Sequence, residues 1–423
     1  MKTCIVSVGS RGDIEPLIPL ALQLMQVGYD VTLITNSDMA ESIRSHGIDF
    51  IDLGFNVAEI LSSQLGKKML SSYSASQSRD YLIKAAVEHH EQVGQRIIEA
   101  CKGAQLILSN ETVYLLCSSI AEKLKVKHIA LCLIPYGTTN DYPSLYADTE
   151  KYSGMSNRET HMQVHRHHHE SLLPPVNKLR NMCLSLPSIS LQEAIDRREK
   201  CTTLLGYSPS VYPPSSDWDT NKCVTGYWRL RQKSFAPPNA LTKFIEQGTM
   251  PIYIGFGSMI YDTNAFIKIL ISVAEQTQQR IIYSLGWNQI KLDTIDVPPQ
   301  IFVLTDSVAH SWLFPKMKAI VHHGGAGTTA ASIESGKPTL IAWFMVDQSF
   351  WAKHIAALKI GLNLGSFHDL DPEMIINSLN QMETKDCYEQ NSRMMAKKVL
   401  SENGLENAVN VINKIVAQQC QKK

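Results

Sequence analysis

At roughly 100–200 residues per domain, a chain of 423 residues excludes one small module and points most simply to two domains of about 200 each. Hydrophobic residues at 44% and charged residues at 19% supply material for a large core and exclude wholesale disorder. Forty Lys and Arg balance forty Asp and Glu, with no run of five like charges, which excludes a broad polyanion-binding surface and nucleic acid as a partner. Any bound anion is then held locally, by a few placed groups.

The first predicted strand, Cys4–Val8, is too short an apolar run for a signal-peptide core before Gly9-Ser10-Arg11-Gly12-Asp13 breaks it. Helix Pro16–Gln26, strand Val31–Thr35, helix Asp38–His46 and strand Ile48–Leu53 follow at the spacing of parallel α/β units. The rhythm resumes with helix Asp80–Lys102, strand Leu106–Ser109, helix Thr112–Leu124 and strand His128–Leu133, so this half is a doubly wound sheet. Between Pro135 and Trp218 the rhythm fails, with helical pieces only at Glu159–Ser171 and Pro175–Cys183. Two proline-rich breaks, Tyr212–Ser216 and Ala236–Asn239, flank a short strand at Cys223–Tyr227 and suggest an interdomain connection.

A second alternation then begins. Strand Ile252–Phe256, helix Ala265–Thr277, and strands Ile281–Ser284, Ile301–Leu304 and Ala319–Val321 lead to helix Thr328–Glu334, strand Thr339–Ala342 and helix Phe350–Leu358. Helix Leu405–Gln418 closes the chain. Two α/β halves joined by a linker imply a cleft between them. Apolar runs stay far below the ~18 residues of a membrane span. Nine cysteines without a C-x-x-C pair suit reduced thiols, so the expected location is the cytoplasm, with peripheral membrane contact left open.

The strongest chemical signal is Val321-His322-His323-Gly324-Gly325-Ala326-Gly327-Thr328-Thr329, a strand end, a glycine turn and a helix start. Glycines let backbone N–H groups approach phosphate oxygens, and the helix N-terminus adds about half a positive charge. A ligand-free strand-to-helix turn is the bland alternative. Gly325-x-Gly327-x-x-Ala330 with Asp347 also matches a dinucleotide fingerprint, although that turn usually opens its domain and this one sits late. At the end of the first strand, Asp13 is placed to take a proton from a hydroxyl, or simply to cap the helix that follows.

Together these elements resemble the family 1 nucleotide-sugar glycosyltransferases of GT-B architecture, α/β proteins with two Rossmann-like domains facing across a cleft. The likeness is nearest to the branch of sterol glucosyltransferases and bacterial macrolide and glycopeptide glycosyltransferases. It rests on Gly9–Asp13 with Pro16, Tyr207–Ser210, Asp217-Trp218, Thr225–Trp228 and Gly255–Met259. It continues with His310–Phe314, the turn from His322 to Thr329, Gly336-Lys337-Pro338 and Asp347-Gln348.

The resemblance implies an acceptor domain over 1–217, a linker over 218–238, a donor domain over 239–400 and a terminal helix over 401–423 returning to the first domain. It implies that His323, Gly324, Gly325, Gly327 and Thr328 hold the diphosphate of a UDP-sugar, that Ser258 and His310 belong to the donor site, and that Asp347 and Gln348 bind the sugar's hydroxyls. Asp13 stands where relatives place the base. Ser10, Arg11, Tyr136 and Tyr142 are acceptor-side candidates, with Tyr146 beside them. The implied reaction is inverting transfer of a hexose, glucose first, to a lipophilic small molecule, with no metal or other cofactor; Asp217-Trp218-Asp219 has metal-motif spacing but lies in the proline-flanked region.

Trp343 and Val346 replace a Pro and a small residue common in relatives, which leaves the sugar open. A ribose-binding Glu of plant relatives falls at Ala331. His161, His165, His168 and His169 share one helical face, and a solvated or membrane-facing helix is expected there ahead of acceptor contact or metal binding. An NAD(P)-dependent oxidoreductase and a non-catalytic nucleotide-sugar-binding activator remain as alternatives, and oligomeric state stays open.

Overall fold

Short apolar runs buried on both faces make parallel strands, because helices cover both sides of such a sheet. The computed structural model describes the whole chain except residues 71–74, 148–150, 231–234, 289–294, 346 and 421–423. It divides into two units, Met1–Ile60 with Arg79–Leu230 and Glu402–Lys423, and Leu61–Ser78 with Arg231–Ser401.

The first unit holds strands β1 (Lys2–Val6), β2 (Asp30–Thr35), β3 (Asp49–Asp52), β4 (Leu106–Asn110), β5 (Lys127–Cys132), β6 (Thr203–Leu205) and β7 (Lys222–Val224). They form one parallel sheet in the order β3-β2-β1-β4-β5-β6-β7, with Cys4 opposite both Thr32 and Ile107. Between residues 135 and 218 the irregular stretch expected from sequence contains β6 and the helix Leu191–Lys200. That helix opens on a capping box, Ser190 with Glu193, a signal present in the sequence and overlooked. The strand anticipated in the connection is β7, paired with β6 at the sheet edge.

The second unit holds β8 (Ile252–Gly255), β9 (Ile281–Ser284), β10 (Ile301–Leu304), β11 (Ile320–His322), β12 (Thr339–Trp343) and β13 (Gly361–Ser366), all parallel, in the order β10-β9-β8-β11-β12-β13. The last helix, Gly404–Cys420, groups with the first unit: Ala408, Val409 and Ile412 are buried with Leu17, Leu20, Leu24 and Trp228, and Tyr29 Oη donates to Asn413 Oδ1 at 2.6 Å.

Two expectations change in helix Asn157–Met182. It runs as one helix through Pro174 and Pro175, where two pieces were expected. Leu172, Leu173, Val176 and Leu179, buried on either side of the prolines, join the first core, and that burial outweighs the lost backbone hydrogen bonds. The histidine row faces inward, contrary to the solvated or membrane-facing helix expected. His161, His165 and His169 are buried. His161 Nε2 donates to the Tyr142 carbonyl at 2.9 Å and His169 Nδ1 to the His165 carbonyl at 2.7 Å. Burial lowers His161 and His168 to about 4, so both rings are neutral at pH 7. Among the described residues no group of three or more His, Cys, Asp or Glu side chains is arranged to hold a metal ion, and no helix is long and apolar enough to cross a membrane.

Beneath this row lies an ion pair. Arg198 Nε donates to Glu111 Oε2 at 2.9 Å, and Tyr136 Oη donates to Glu111 Oε1 at 2.7 Å. The guanidinium lies 4.6 Å from the Tyr136 ring centre, and His165 stacks on that ring. Burial alone would raise the Glu111 carboxyl, but Arg198, the nearby His168 and His169 and the Tyr136 hydroxyl together outweigh it and hold the group down at about 2. Glu111→Ala leaves the Arg198 charge buried without a counter-ion; urea unfolding is expected to show a loss of about 3–5 kcal/mol, against about 1 kcal/mol for Tyr136→Phe.

Candidate functional site

In a doubly wound sheet, ligands bind beyond the carboxyl ends of the strands where the strand order reverses. The reversals fall between β1 and β4 in the first sheet and between β8 and β11 in the second. Asp13 follows β1, Ser258 follows β8, and His323 follows β11. The topology therefore puts the main predicted residues of each unit at that unit's reversal.

The turn after β1 is tied to the flanking strands. Val8 N–H donates to Asn110 Oδ1 at 3.4 Å, Asn110 Nδ2 donates to the Val8 carbonyl at 2.9 Å, and Gly9 N–H reaches Asn36 Oδ1 at 3.5 Å. Asn36 and Asn110 end β2 and β4, the two neighbours of β1, and sequence reasoning missed both because their role depends on strand order. Arg11–Ile14 is a short helix with Ser10 at its N-cap. Asp13 Oδ2 accepts from Ser10 N–H at 2.8 Å and from Ser10 Oγ at 3.0 Å.

Capping and catalysis were rival readings of Asp13, but they use different atoms. Oδ2 caps, while Oδ1 has no hydrogen-bond partner among the described residues. A Cβ on Gly9 would lie 2.4 Å from Asp13 Oδ2, so only glycine leaves room for this rotamer. The carboxylate is reachable by solvent yet densely surrounded by protein, and poor solvation raises its pKa above the ordinary 3.8 against the downward pull of the two Ser10 hydrogen bonds. Arg11 is paired with Glu15 at 2.6 Å on the surface.

The other acceptor-side candidates lie elsewhere in the first unit. Tyr136 is committed to Glu111 and Arg198. Tyr142 meets His161, Tyr212 and Trp218 edge-on, and its buried hydroxyl has no hydrogen-bond partner among the described residues. Asp217, the first residue of the metal-like spacing, joins two loops: Oδ1 accepts from Ser215 Oγ at 2.6 Å and Oδ2 from Asn140 N–H at 2.8 Å. The Ser215 and Thr139 hydroxyls hold its carboxyl well below the usual range.

In the second unit, His322 Nδ1 accepts from Gly324 N–H at 2.9 Å and shapes the turn. Gly324 has φ +89°, and a Cβ there would lie 2.8 Å from Ile341 Cγ2 and 3.0 Å from the Gln348 carbonyl. Helix Ala326–Glu334 begins at Gly325 with no side-chain cap among the described residues, and the positive end of its dipole lies at the turn that leads to Thr328. The His323 ring lies between two glycines: a Cβ on Gly257 would be 3.1 Å from Cε1 and one on Gly325 2.5 Å from Nε2. Its Nδ1 is buried without a partner among the described residues. Gly257, at φ +59°, carries the turn into Ser258, and its carbonyl accepts from Trp287 N–H at 3.1 Å.

His310 stacks on Phe314 at 4.2 Å, and Ala331 is buried in the same cluster as Phe314. Asp347 heads helix Gln348–Ala357, and its Oδ2 accepts from Trp351 Nε1 at 3.2 Å. Gln348 Oε1 accepts from Phe344 N–H at 2.8 Å and Met345 N–H at 3.2 Å, and its amide nitrogen reaches Met259 Sδ at 3.7 Å. Trp343 ends β12; Val346 lies outside the described residues.

Comparisons with known proteins agree with the two-sheet fold. The profile of the glycosyltransferase family 28 N-terminal domain matches residues 3–107, and that of the erythromycin biosynthesis protein CIII-like C-terminal domain matches 268–417. The chain has the GT-B fold and is similar over nearly all its length to glycosyltransferases. It is 30% identical over 424 residues to a sterol 3-beta-glucosyltransferase of Pichia angusta, covering 96% of this chain and 33% of that protein. A sterol 3-beta-glucosyltransferase of Saccharomyces cerevisiae is 30% identical over 430 residues, covering 97% of this chain and 35% of that protein. The chain thus spans about a third of the length of these curated relatives. Among solved structures, the kitacinnamycin glycotransferase and the glycosyltransferase VinC, the latter in complex with dTDP, each share the fold with a TM-score of 0.70 at 16% identity. The first match covers 98% of both chains, the second 99% of this chain and 100% of VinC.

Burial lowers His323 to about 4, so the ring is neutral at pH 7 and acquires positive charge only as pH falls toward that value. NMR titration of the free protein is expected to show a ring resonance, assigned by its loss in His323→Gln, that stays neutral at pH 6; a midpoint near the ordinary 6.5 overturns this.

Proposed function

We propose that this chain catalyses inverting transfer of a hexose, glucose first, from a UDP-sugar to a hydroxyl of a lipophilic small molecule such as a sterol. The observation that carries the reading is the divided role of Asp13: one carboxylate oxygen held by Ser10, the other unpartnered, on a group whose basicity is raised. Oδ1 takes the proton of the acceptor hydroxyl as its oxygen attacks the anomeric carbon. The bond from that carbon to the diphosphate breaks on the opposite face, and the electron pair leaves with the phosphate oxygen. One displacement inverts the configuration.

The diphosphate is received by Gly324, Gly325, Gly327 and Thr328 with the helix N-terminus behind them, by the His323 N–H, and by Ser258. These preorganised donors meet the leaving charge without a metal. Asp347 and the Gln348 amide bind sugar hydroxyls, and His310 borders the donor site. The chemistry of the sterol 3-beta-glucosyltransferase relatives supports a flat apolar acceptor, and a peripheral membrane contact would suit such a substrate.

Asp13→Asn is expected to keep UDP affinity while transfer to a sterol falls about 100- to 10,000-fold, the range for loss of a general base. Because the base works deprotonated and its pKa is raised, kcat/KM should fall on the acid side with a midpoint above 3.8. Unchanged turnover in Asp13→Asn would assign the proton to another group. In a thermal-shift series UDP and UDP-glucose should raise Tm; stabilisation by NADH alone would overturn the reading.

A further inference from the structure

Helices Val57–Ser62 and Gln64–Leu70 follow β3 of the first sheet, yet Leu61–Ser78 groups with the second unit. Leu70 shows why. Its side chain is buried in the second unit's core, in the cluster that contains Phe256, Met259 and Phe344. Its carbonyl accepts a hydrogen bond from His368 Nε2 at 2.7 Å, which requires the Nε2–H form of the ring because a carbonyl only accepts.

His368 lies in the turn Phe367–Asp369 just after β13. Phe367 stacks on Phe344 at 4.2 Å and 17°, and the His368 ring meets Phe344 edge-on at 6.1 Å. The Phe344 N–H is held by Gln348 Oε1, and the Gln348 amide nitrogen reaches Met259 Sδ at 3.7 Å, one residue beyond Ser258. Packed side chains and hydrogen bonds therefore run without a gap from Leu70 through the aromatic stack to Gln348 and the turn after β8.

We propose that Leu70, docked on His368, is a positioning element of the donor site: it fixes the Phe344 and Phe367 stack on which Gln348 is registered, and so sets which hexose is accepted. This rests on the assignment of Gln348 to the transferred sugar. Neither Leu70 nor His368 touches substrate; both act through Phe344. Loss of either contact frees Phe344 and its backbone N–H, and the Gln348 amide loses its fixed direction while the glycine turn after β11 is untouched. The sugar end of the donor should then loosen and the diphosphate end should not.

The test compares the native chain with His368→Ala, His368→Gln and Leu70→Ala, measuring Tm, UDP affinity by calorimetry, and kcat and KM for UDP-glucose and UDP-galactose. In His368→Ala, KM for UDP-glucose should rise about two- to tenfold, the weight of one ordinary hydrogen bond, with UDP affinity unchanged and the preference between the two hexoses narrowed. His368→Gln, whose amide can donate to the same carbonyl, should restore both. Leu70→Ala should act in the same direction, and the double variant His368→Ala with Leu70→Ala should be far less than additive, because both act on one element; Leu70→Ala alone carries the comparison if His368→Ala does not fold.

Native KM and hexose preference in folded His368→Ala and Leu70→Ala overturn the proposal. So does a parallel loss of UDP and UDP-glucose affinity that His368→Gln does not rescue, since that marks a purely structural contact. A native chain that neither binds UDP-glucose nor transfers from it overturns the function itself, and this proposal with it. A native chain that transfers, with variants that match it, overturns the positioning role alone.

Discussion

A parallel sheet with helices on both faces must reverse its strand order somewhere, and at that point no crossover covers the carboxyl ends of two adjacent strands. Both candidate sites of this protein depend on that constraint. In the first sheet the gap between β1 and β4 leaves the turn that ends in Asp13 uncovered by a crossover, so its backbone N–H groups are met by side chains from the neighbouring strand ends, Asn36 and Asn110. In the second sheet the gap between β8 and β11 is bordered by glycine turns, where a Cβ on Gly257, Gly324 or Gly325 would crowd the His323 ring, the Ile341 side chain or the Gln348 carbonyl. The glycines leave the room that the ring and the backbone occupy.

Electrostatics follows from the same economy. A chain of zero net charge has no broad field to attract a diphosphate. The local sources of positive potential in the second unit are oriented dipoles, the helix start at Ala326 and the N–H of a neutral imidazole. In the first unit, poor solvation raises the basicity of Asp13 while the Ser10 hydrogen bonds restrain it.

Away from these turns, the first unit contains polar chemistry that serves packing. The five histidines between His161 and His169 are ligand-like in spacing, yet His161, His165 and His169 are buried, with carbonyls, a carboxylate and the Tyr136 ring as neighbours. Imidazole suits such positions because, once neutral, it offers one donor and one acceptor on an apolar ring. Helical spacing shows which residues share a face, not what lies opposite it, and this is why a solvated helix was expected. The same limit applies to Tyr136, whose hydroxyl belongs to Glu111, and to Asp217, whose spacing suggested a metal and whose oxygens join two loops.

Sequence by itself determined the two α/β halves, the glycine turn after β11 and the place of Asp13 just after β1, because hydrophobic period, glycine spacing and a strand-to-turn change are local properties. It also contained signals that were passed over, such as the Ser190 and Glu193 capping box. Three-residue β6 carries too little pattern to be seen, and two prolines outweighed a buried face in the reading of helix Asn157–Met182. Only the tertiary structure decided strand order, and with it the roles of Asn36 and Asn110. It alone separated the capping oxygen of Asp13 from the unpartnered one, turned the histidines inward and brought Leu70 to His368 across nearly three hundred residues of chain. Those outcomes depend on which distant surfaces are buried together, and burial is a property of the folded whole.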